Sequence, residues 1–243
     1  KVYEPTAGNG MLLIGTDVKN AFANELDEKR AQILRDQGFN VTEDDAVTAK
    51  VPKVDVVLAN PPFGKIKDSE QKTITLDVDG FKTTEVDHAI SLQSLKGMKP
   101  DGYTVLILAA KGHNVKGDLE RRMAYSKGKD RPFYDALYQG YDVTEHFTVD
   151  GSLYSRQGAS FPVDVIVLRP QGTVSVDQKR GTPWAKVPRI FNNWGDLKNA
   201  FFSDMADSGT GTSVLSGNGD NSSSDLSSRN TDDMGRIPGQ NEN

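Results

Sequence analysis

The chain has 243 residues, of which 36% are hydrophobic, and a formal net charge of −5. This length supports one sizeable domain with additional segments. The sequence has no cysteine, which excludes disulfides and zinc-thiolate sites, and no apolar run approaches the roughly 20 residues of a membrane span. We therefore expect a protein of a reducing compartment, the cytoplasm, with no membrane partner.

The negative charge is concentrated at the C-terminus. From Asp204 to Asn243, seven acids face two arginines, so the preceding residues have a net charge of zero. This stretch is rich in Ser, Gly, Asn and Asp and nearly free of aromatic residues. Such a composition cannot bury enough apolar surface to offset the entropy lost on ordering. We predict a disordered linker or tail over 206–243, and the acidity of the chain does not argue against a nucleic-acid partner for the body.

Strand-like apolar runs alternate with helix-length segments through the body of the chain. This alternation predicts an α/β fold, a doubly wound, mostly parallel, Rossmann-like sheet, with a terminal antiparallel hairpin. The predicted strands are 1–5, 21–26, 39–45, 54–60, 103–110, 145–151 and 161–170; the predicted helices are 11–20, 27–38 (closed by Gly38) and 87–98, which the turn "KPDG" at 99–102 ends.

Two predicted insertions follow strands of this sheet, at about 65–86 and 112–145. The first contains Asp79-Gly80 between two β-prone arms, which predicts a hairpin. The second overlaps a basic stretch from Lys111 to Arg131, with seven basic residues against three acids. That stretch is either a solvated face or a phosphate-contacting surface. Segments at the carboxyl ends of parallel strands lie over the crevice where such folds bind ligands.

A glycine-rich turn follows the first strand, in "YEPTAGNGM" at 3–11. Gly8 and Gly10 allow a sharp bend and a close approach of a ligand to the main chain. A phosphate-binding P-loop is excluded because Thr16 stands where its lysine belongs, and Leu13 replaces the last glycine of a dinucleotide fingerprint. The acid Glu4 suits a cationic, amino-acid-bearing nucleotide such as S-adenosylmethionine. A purely structural tight turn is the alternative.

Acids also follow the second and third predicted strands. Glu25 stands where an acid can accept from both hydroxyls of a ribose, although the N-terminal turn of a helix favours an acid there too. Asp45 stands where it could accept from an adenine amino group. Asp44 is its rival for that role, and helix capping is the alternative for either residue.

The fourth strand ends in Asn60-Pro61-Pro62-Phe63. Proline fixes φ, donates no N–H and holds the preceding residue extended, so this loop is stiff. The Asn60 side-chain oxygen and the Pro61 carbonyl can each accept one hydrogen of a substrate amino group, and both dipoles stabilise positive charge that develops on its nitrogen. Phe63 offers a face for a planar base, worth roughly 1–3 kcal/mol. An ordinary proline turn is the alternative, but the three motifs in order favour a functional site.

Four motifs within about residues 1–170 resemble those of class I S-adenosylmethionine-dependent DNA adenine (amino) methyltransferases: "EPTAGNG", "NPPF", "LKGMKPDGYTVLIL" and "QGASFPVDVIVLRP". A narrower resemblance is to the methyltransferase domains of DarB-type phage and plasmid antirestriction proteins. The resemblance implies methyl transfer to the exocyclic amino group of an adenine flipped out of duplex DNA. The alternatives are an inactive methyltransferase-fold module, structural or DNA-binding, and an amino-methyltransferase acting on RNA or protein glutamine.

The resemblance also implies how the chain is divided into domains. It predicts a methyltransferase domain at 1–172, a docking segment at 173–205 and the tail at 206–243, in a piece of a longer polypeptide whose other domains, phage proteins and DNA are its partners. It implies the cytoplasm of a host cell, with delivery in a phage particle as one route. The family's usual glycine pair is "KPDG" here, which would require left-handed geometry at Asp101.

The resemblance assigns a role to each motif residue, and no metal. The implied cofactor contacts are Glu4, Thr6, Gly8, Gly10, Glu25, Asp45 and Asn60; the catalytic residues are Asn60, Pro61, Pro62 and Phe63; the substrate contacts are Phe63, Lys65, Lys111, Arg121 and Arg122.

Overall fold

Eight strands form one sheet in the computed structural model, which describes residues 1–112, 117–128, 130–153 and 161–207, with side chains up to residue 201. The strand order is β10-β8-β9-β7-β4-β1-β2-β3, and a separate hairpin pairs β5 with β6. The strands are β1 (Val2–Glu4), β2 (Ala21–Asn24), β3 (Asn40–Thr42), β4 (Val54–Ala59), β5 (Leu76–Val78), β6 (Phe81–Thr83), β7 (Met98–Ala109), β8 (Tyr141–Val149), β9 (Val163–Pro170) and β10 (Arg189–Phe191).

The direction of the strands confirms the predicted fold class. β3, β2, β1, β4 and β7 are parallel neighbours, whereas β9 runs antiparallel to both β7 and β8. β8 and β9 are therefore the predicted terminal antiparallel pair. The carboxyl ends of β1, β2 and β4 meet at one edge of the sheet, where such folds bind ligands.

Five helices accompany the sheet within the described residues. α1 starts at Asp27, whose side chain accepts from Arg30 N at 3.0 Å, and ends as predicted at Gly38, which has a φ of 91°. The hydrogen bond from Phe39 N to the Leu34 carbonyl closes that end. The helices are α1 (Glu28–Asp36), α2 (Val86–Leu95), α3 (Asp118–Ser126), α4 (Arg131–Gly140) and α5 (Trp194–Asp207).

The helix predicted over 11–20 is wrong. The segment instead forms two short 3₁₀ turns, Met11–Leu13 and Val18–Asn20. Gly10 and Gly15 have φ values of 76° and 85°, and these left-handed residues interrupt the helical path on either side of the first turn. Asp17 starts the second turn by accepting a hydrogen bond from Lys19 N at 3.0 Å.

The predicted turn at "KPDG" is also wrong, because β7 already begins at Met98 and includes these residues. The pairing of β4 with β7 shifts register between Val54 and Val56, so an irregularity of the sheet absorbs them. Asp101 is not left-handed; among the described residues other than glycine, positive φ values occur at Gln71 and Asp79. A Cβ on Gly102 would lie 2.7 Å from the Asp55 carbonyl, so close packing against β4 requires glycine there.

The hairpin predicted around Asp79-Gly80 is confirmed, with φ values of 53° and 89° at its turn. Both values are positive, as a tight two-residue hairpin loop requires. The hairpin segment packs through buried Ile66 and Val78 against Ala89 of α2. This packing holds the segment beside the N-terminal half of α2.

The segment after β7 holds α3 and α4, which a buried polar network fixes to β8 and β9. Asp164 accepts hydrogen bonds from the Tyr125 hydroxyl at 2.6 Å and the Thr148 hydroxyl at 2.7 Å. His146 Nε2 lies 3.4 Å from the same carboxylate, and its Nδ1 lies 2.9 Å from the Tyr138 hydroxyl. The carboxylate of Asp164 therefore joins α3 to β8 and β9, and α4 is connected to it through His146.

The segment predicted to dock at 173–205 runs along the edge of β8. Arg180 N donates to the Val143 carbonyl at 2.7 Å, and β10 continues the sheet beyond β8. The Trp184 ring lies 6.4 Å from that of Tyr138. The chain divides into two units, Lys1–Phe201 and Phe202–Asn243, and the predicted tail lies outside the described residues from 208 onward. None of the described helices combines the length and apolarity of a membrane span.

Candidate active site

The carboxyl ends of β1, β2 and β4 open into a cleft of about 530 Å³. Three segments that are distant in the sequence meet there: the glycine turn, the end of β2 and the loop after β4. The lining includes six of the predicted site residues, Thr6, Gly8, Glu25, Asp45, Asn60 and Pro62.

The proline loop after β4 is held at both of its ends. The Thr6 hydroxyl donates a hydrogen bond to the Asn60 main-chain carbonyl at 3.2 Å, which ties the loop to the glycine turn. The Gly64 carbonyl accepts from Val86 N at 2.9 Å, which ties it to the start of α2. Pro61 is buried, whereas 45% of Phe63 is exposed. The loop therefore presents an amide and an aromatic ring on a fixed support.

Glu25 is buried and holds the glycine turn against β2. Its Oε2 accepts from Gly8 N at 2.8 Å, and its Oε1 accepts from Asp27 N at 2.9 Å and Arg30 Nη2 at 2.8 Å. Burial alone would raise the pKa of Glu25, but these hydrogen bonds outweigh burial and lower it. Glu25 is thus an ionised carboxylate that also serves the start of α1. Its Oε2 retains an acceptor site beside the cleft.

Glu4, the last residue of β1, is a buried carboxyl next to Pro5 of the cleft. Its Oε2 has no hydrogen-bond partner within the described residues. Burial, and then the negative charge of Glu25, raise the pKa of Glu4 to about 8. A buried carboxyl oxygen without a partner is a place where a cationic group of a ligand would be stabilised.

The two glycines of the turn have different surroundings. A Cβ on Gly8 would meet nothing within 4 Å, so this residue leaves space beside the cleft. A Cβ on Gly10 would lie 2.9 Å from Leu34 Cδ2, and Gly10 is absent from the described lining of the cleft. Gly10 therefore packs against α1, and its contact with the cofactor remains a prediction.

Of the two candidate acids after β3, Asp45 is the one that lines the cleft. Its Oδ1 accepts from Val47 N at 3.0 Å, so it also caps the turn that follows. Asp44 has its main-chain N and O bonded to the side-chain amide of Asn24, at 3.0 and 2.8 Å. Sequence analysis missed Asn24, a buried amide whose only signal is its place at the end of a strand.

The lysines after the proline loop differ in what they contact. Lys65 Nζ forms an ion pair with Glu85 and donates to the Thr84 hydroxyl at 3.2 Å. Lys67, which sequence analysis did not single out, lines the cleft and is exposed. Lys65 thus holds the hairpin segment in place, and Lys67 presents a positive charge to the cleft.

The predicted substrate contact at Arg121, in the basic stretch after β7, is wrong. Arg121 is 8% exposed, and its Nη2 donates to the Pro188 carbonyl at 2.8 Å, so it is an interior residue rather than a phosphate contact. Lys111 Nζ lies 3.3 Å from Asp130 Oδ1, and Arg122 is partly buried. The sequence shows how many charges this helix carries but not which of them face inward.

No family model matches the sequence, and neither does any curated protein. A protein of Listeria monocytogenes, described as a class I S-adenosylmethionine-dependent methyltransferase, has a similar structure, with a TM-score of 0.55, 15% identity and coverage of 85% of this chain and 62% of that one. The modification subunit of a type I restriction enzyme of Vibrio vulnificus YJ016 has a TM-score of 0.54, 14% identity and coverage of 84% and 48%. The chain thus spans less than two thirds of either protein.

The chain shares the fold of these two proteins, a mostly parallel sheet accompanied by helices. At these identities the likeness establishes the arrangement of strands and helices. Activity, cofactor and substrate depend on the residues of the cleft.

Proposed function

We propose that this chain transfers a methyl group from S-adenosylmethionine to the exocyclic amino group of adenine in DNA. We further propose that it does so within a larger phage or plasmid modification or antirestriction protein. The observation that carries the proposal is the bond between Thr6 and Asn60, because it joins the glycine turn to the proline loop at one cleft. The descriptions of the Listeria and Vibrio proteins, a methyltransferase and a restriction-enzyme modification subunit, support the same chemistry.

The cleft has a donor and acceptor set that fits this cofactor. Glu25 Oε2 would accept from a ribose hydroxyl, Asp45 would accept from the adenine amino group, and Glu4 would face the ammonium group. Gly8 leaves space for the methionine portion. When bound, S-adenosylmethionine supplies an electrophilic methyl group on a sulfonium centre.

The proline loop orients the amine that receives the methyl group. The Asn60 side-chain oxygen and the Pro61 carbonyl accept its two hydrogens, which directs the nitrogen lone pair away from the loop and toward the cleft. The nitrogen becomes positively charged during transfer, and two fixed dipoles stabilise that charge without reorganising. Neither proline has an N–H that could donate to these acceptors.

Two features favour a nucleobase as the substrate. The exposed ring of Phe63 is a platform on which a flat base can stack, and Lys67 places a positive charge at the cleft where a phosphate can approach. In duplex DNA the adenine must leave the helix before its amino group reaches Asn60. Lys111 and Arg121 have partners inside the protein and are not part of this proposed surface.

The test is methyl transfer from labelled S-adenosylmethionine to adenine-containing DNA, with Asn60→Ala compared with the parent protein. We expect the rate to fall about 100-fold or more, with cofactor affinity retained within a few-fold. Asn20→Ala, at an exposed position on a 3₁₀ turn, is the matched control and should keep the parent rate.

Three outcomes would contradict parts of the proposal. Transfer by Asn60→Ala at the parent rate would remove the role given to Asn60. Methylation of RNA or of a glutamine-containing peptide in place of DNA would change the substrate class. Failure of the parent protein to bind the cofactor in a calorimeter would favour the inactive structural or DNA-binding module.

A further inference from the structure

A second cleft, of about 550 Å³, lies beside β8 and β9 and away from the candidate active site. Ala59, directly before Asn60, is in register with Leu106 and through it with Ile166. Arg169, which lines the second cleft, is three residues further along the antiparallel β9. It is therefore about 10 Å closer to the opposite end of the sheet.

The wall of this cleft is built by the chain that follows β9. The buried carboxylate of Asp142 accepts from Thr173 N at 2.8 Å and from Val174 N at 3.1 Å, and it pairs with Lys179 Nζ at 2.6 Å. The hydrogen bond from Arg180 N to β8 then fixes the returning chain. These bonds hold the segment after β9 beside β8 and β9, so the groove between them is part of the folded structure.

Four positively charged side chains line this groove. We define the basic groove by Arg169, Lys179, Arg180 and Lys186, which share it with two acids, Glu145 and Asp177. The Arg180 guanidinium donates to the main-chain carbonyls of Lys186 and Val187, at 3.4 and 3.3 Å. The guanidinium of Arg169 lies 5.5 Å from the centre of the Tyr103 ring. Contacts within the protein therefore hold the charges of Arg169, Lys179 and Arg180 in place before any ligand arrives.

The lining selects the chemistry of the ligand. Excess positive charge on fixed guanidinium and ammonium groups suits a phosphate. The carboxylates of Glu145 and Asp177 accept hydrogen bonds, which suits the hydroxyl or amino groups of a sugar or base. A cleft of this volume is large enough for one nucleotide unit. We propose that the basic groove binds a phosphorylated nucleotide unit, at a site separate from the methyl-transfer cleft.

The nucleotide can come from two sources, a nucleic-acid strand or a free nucleotide, and the experiment separates them. Fluorescence anisotropy would measure binding of a short labelled single strand and a short duplex to the full chain, and calorimetry would measure binding of ATP and of inorganic phosphate. The tested variant is Arg169→Gln with Lys186→Gln, which leaves the Lys179–Asp142 pair intact. Lys82→Gln, on the exposed edge of β6, is the control.

We expect the double variant to bind about tenfold more weakly or worse, a loss of about 1.4 kcal/mol or more, because two charged donors are removed. The control should match the parent protein. Saturating S-adenosylmethionine and the Asn60→Ala change should leave this affinity unaltered, so failure of the proposed methyl transfer is measured separately. Strand binding without ATP binding identifies a nucleic-acid site, and the reverse identifies a free-nucleotide site.

Equal affinity in the double variant and the parent protein would overturn the proposal, as would competition by the cofactor. Circular dichroism melting would confirm that the double variant is folded. If it is not folded, Lys186→Gln alone repeats the test, because only the main chain of Lys186 contacts Arg180 and the side chain is free to change.

Discussion

The hydroxyl of Thr6 and the main-chain carbonyl of Asn60 form a hydrogen bond of 3.2 Å between residues 54 positions apart in the sequence. We predict that Thr6→Val, which keeps the volume and removes the donor, slows methyl transfer about tenfold. The bond holds the proline loop in register with the glycine turn, and small errors in position are costly in catalysis. The loss of stability should be about 1 kcal/mol. Single-turnover rates and urea unfolding would measure the two effects.

Thr173→Val is the control for that change, because the Thr173 hydroxyl also donates to a main-chain carbonyl, that of Pro170, at 2.7 Å. It should destabilise the protein by a similar amount and leave the transfer rate unchanged. If both variants slow transfer equally, the bond at Thr6 acts only through general stability.

The architecture of the cleft can be predicted from the sequence because it follows from two general rules of α/β folds. Alternating strands and helices specify a parallel sheet, and parallel strands bring their carboxyl ends to one edge. Thr6, Glu25 and Asn60 could therefore be placed together although they are far apart in the chain, and the structure brings them to one lining. The residues at the end of each strand can be read directly from the sequence.

The errors concern features that depend on tertiary packing. Arg121 is basic, but its helix turns it toward Pro188, and only the packed structure shows which face of that helix is buried. The sequence likewise does not show that Leu34 fills the space beside Gly10. The sequence also gives no indication that Asp142 draws the chain after β9 back onto β8 and so creates the basic groove.

Glu4 should make the stability of the protein depend on pH. Its pKa is raised from 4.5 to about 8 in the folded state, so the folded protein holds a proton that the unfolded chain releases between these values. The free energy of unfolding should therefore fall as pH rises through this window, by at most about 1.4 kcal/mol per pH unit from this group. Glu4→Gln should remove this contribution and be the more stable protein at pH 8.

Urea unfolding at several pH values between 5 and about 8 would measure that slope. The exposed Glu28→Gln on α1 is the control and should retain it. Glu4→Gln should also weaken binding of S-adenosylmethionine, since the neutral amide cannot pair with an ammonium group. An unchanged slope in Glu4→Gln would show that Glu4 is ionised in the folded protein at neutral pH.

Phe63→Ala should weaken the substrate and spare the fold. Because 45% of Phe63 is exposed, truncation removes less apolar burial than it would at a fully buried position. Stacking of a base on an aromatic ring contributes roughly 1–3 kcal/mol, so the KM for DNA should rise about tenfold or more while cofactor affinity stays constant. Leu119→Ala, at a position that is 66% exposed on α3, should leave the KM unchanged. A normal KM in Phe63→Ala would contradict the stacking role.

Asp164 attaches α3 to the sheet. It is fully buried, and two hydroxyls donate to its carboxylate, from Tyr125 at 2.6 Å and Thr148 at 2.7 Å. Burial and the charge of Asp164 both raise the pKa of Tyr125, so its hydroxyl remains a donor at all working pH values. The carboxylate is thus the shared acceptor for groups on a helix and a strand.

We predict that Asp164→Asn destabilises the protein by about 3 kcal/mol, because the new amide offers N–H donors where hydroxyl donors already point. Asp135→Asn, in an exposed ion pair with Arg131, should cost less than about 1 kcal/mol. Adding Tyr125→Phe to Asp164→Asn should cost less than Tyr125→Phe does alone, since the hydroxyl no longer has its acceptor. Strictly additive losses in urea unfolding would show that the two side chains stabilise the fold independently and that the carboxylate does not join them.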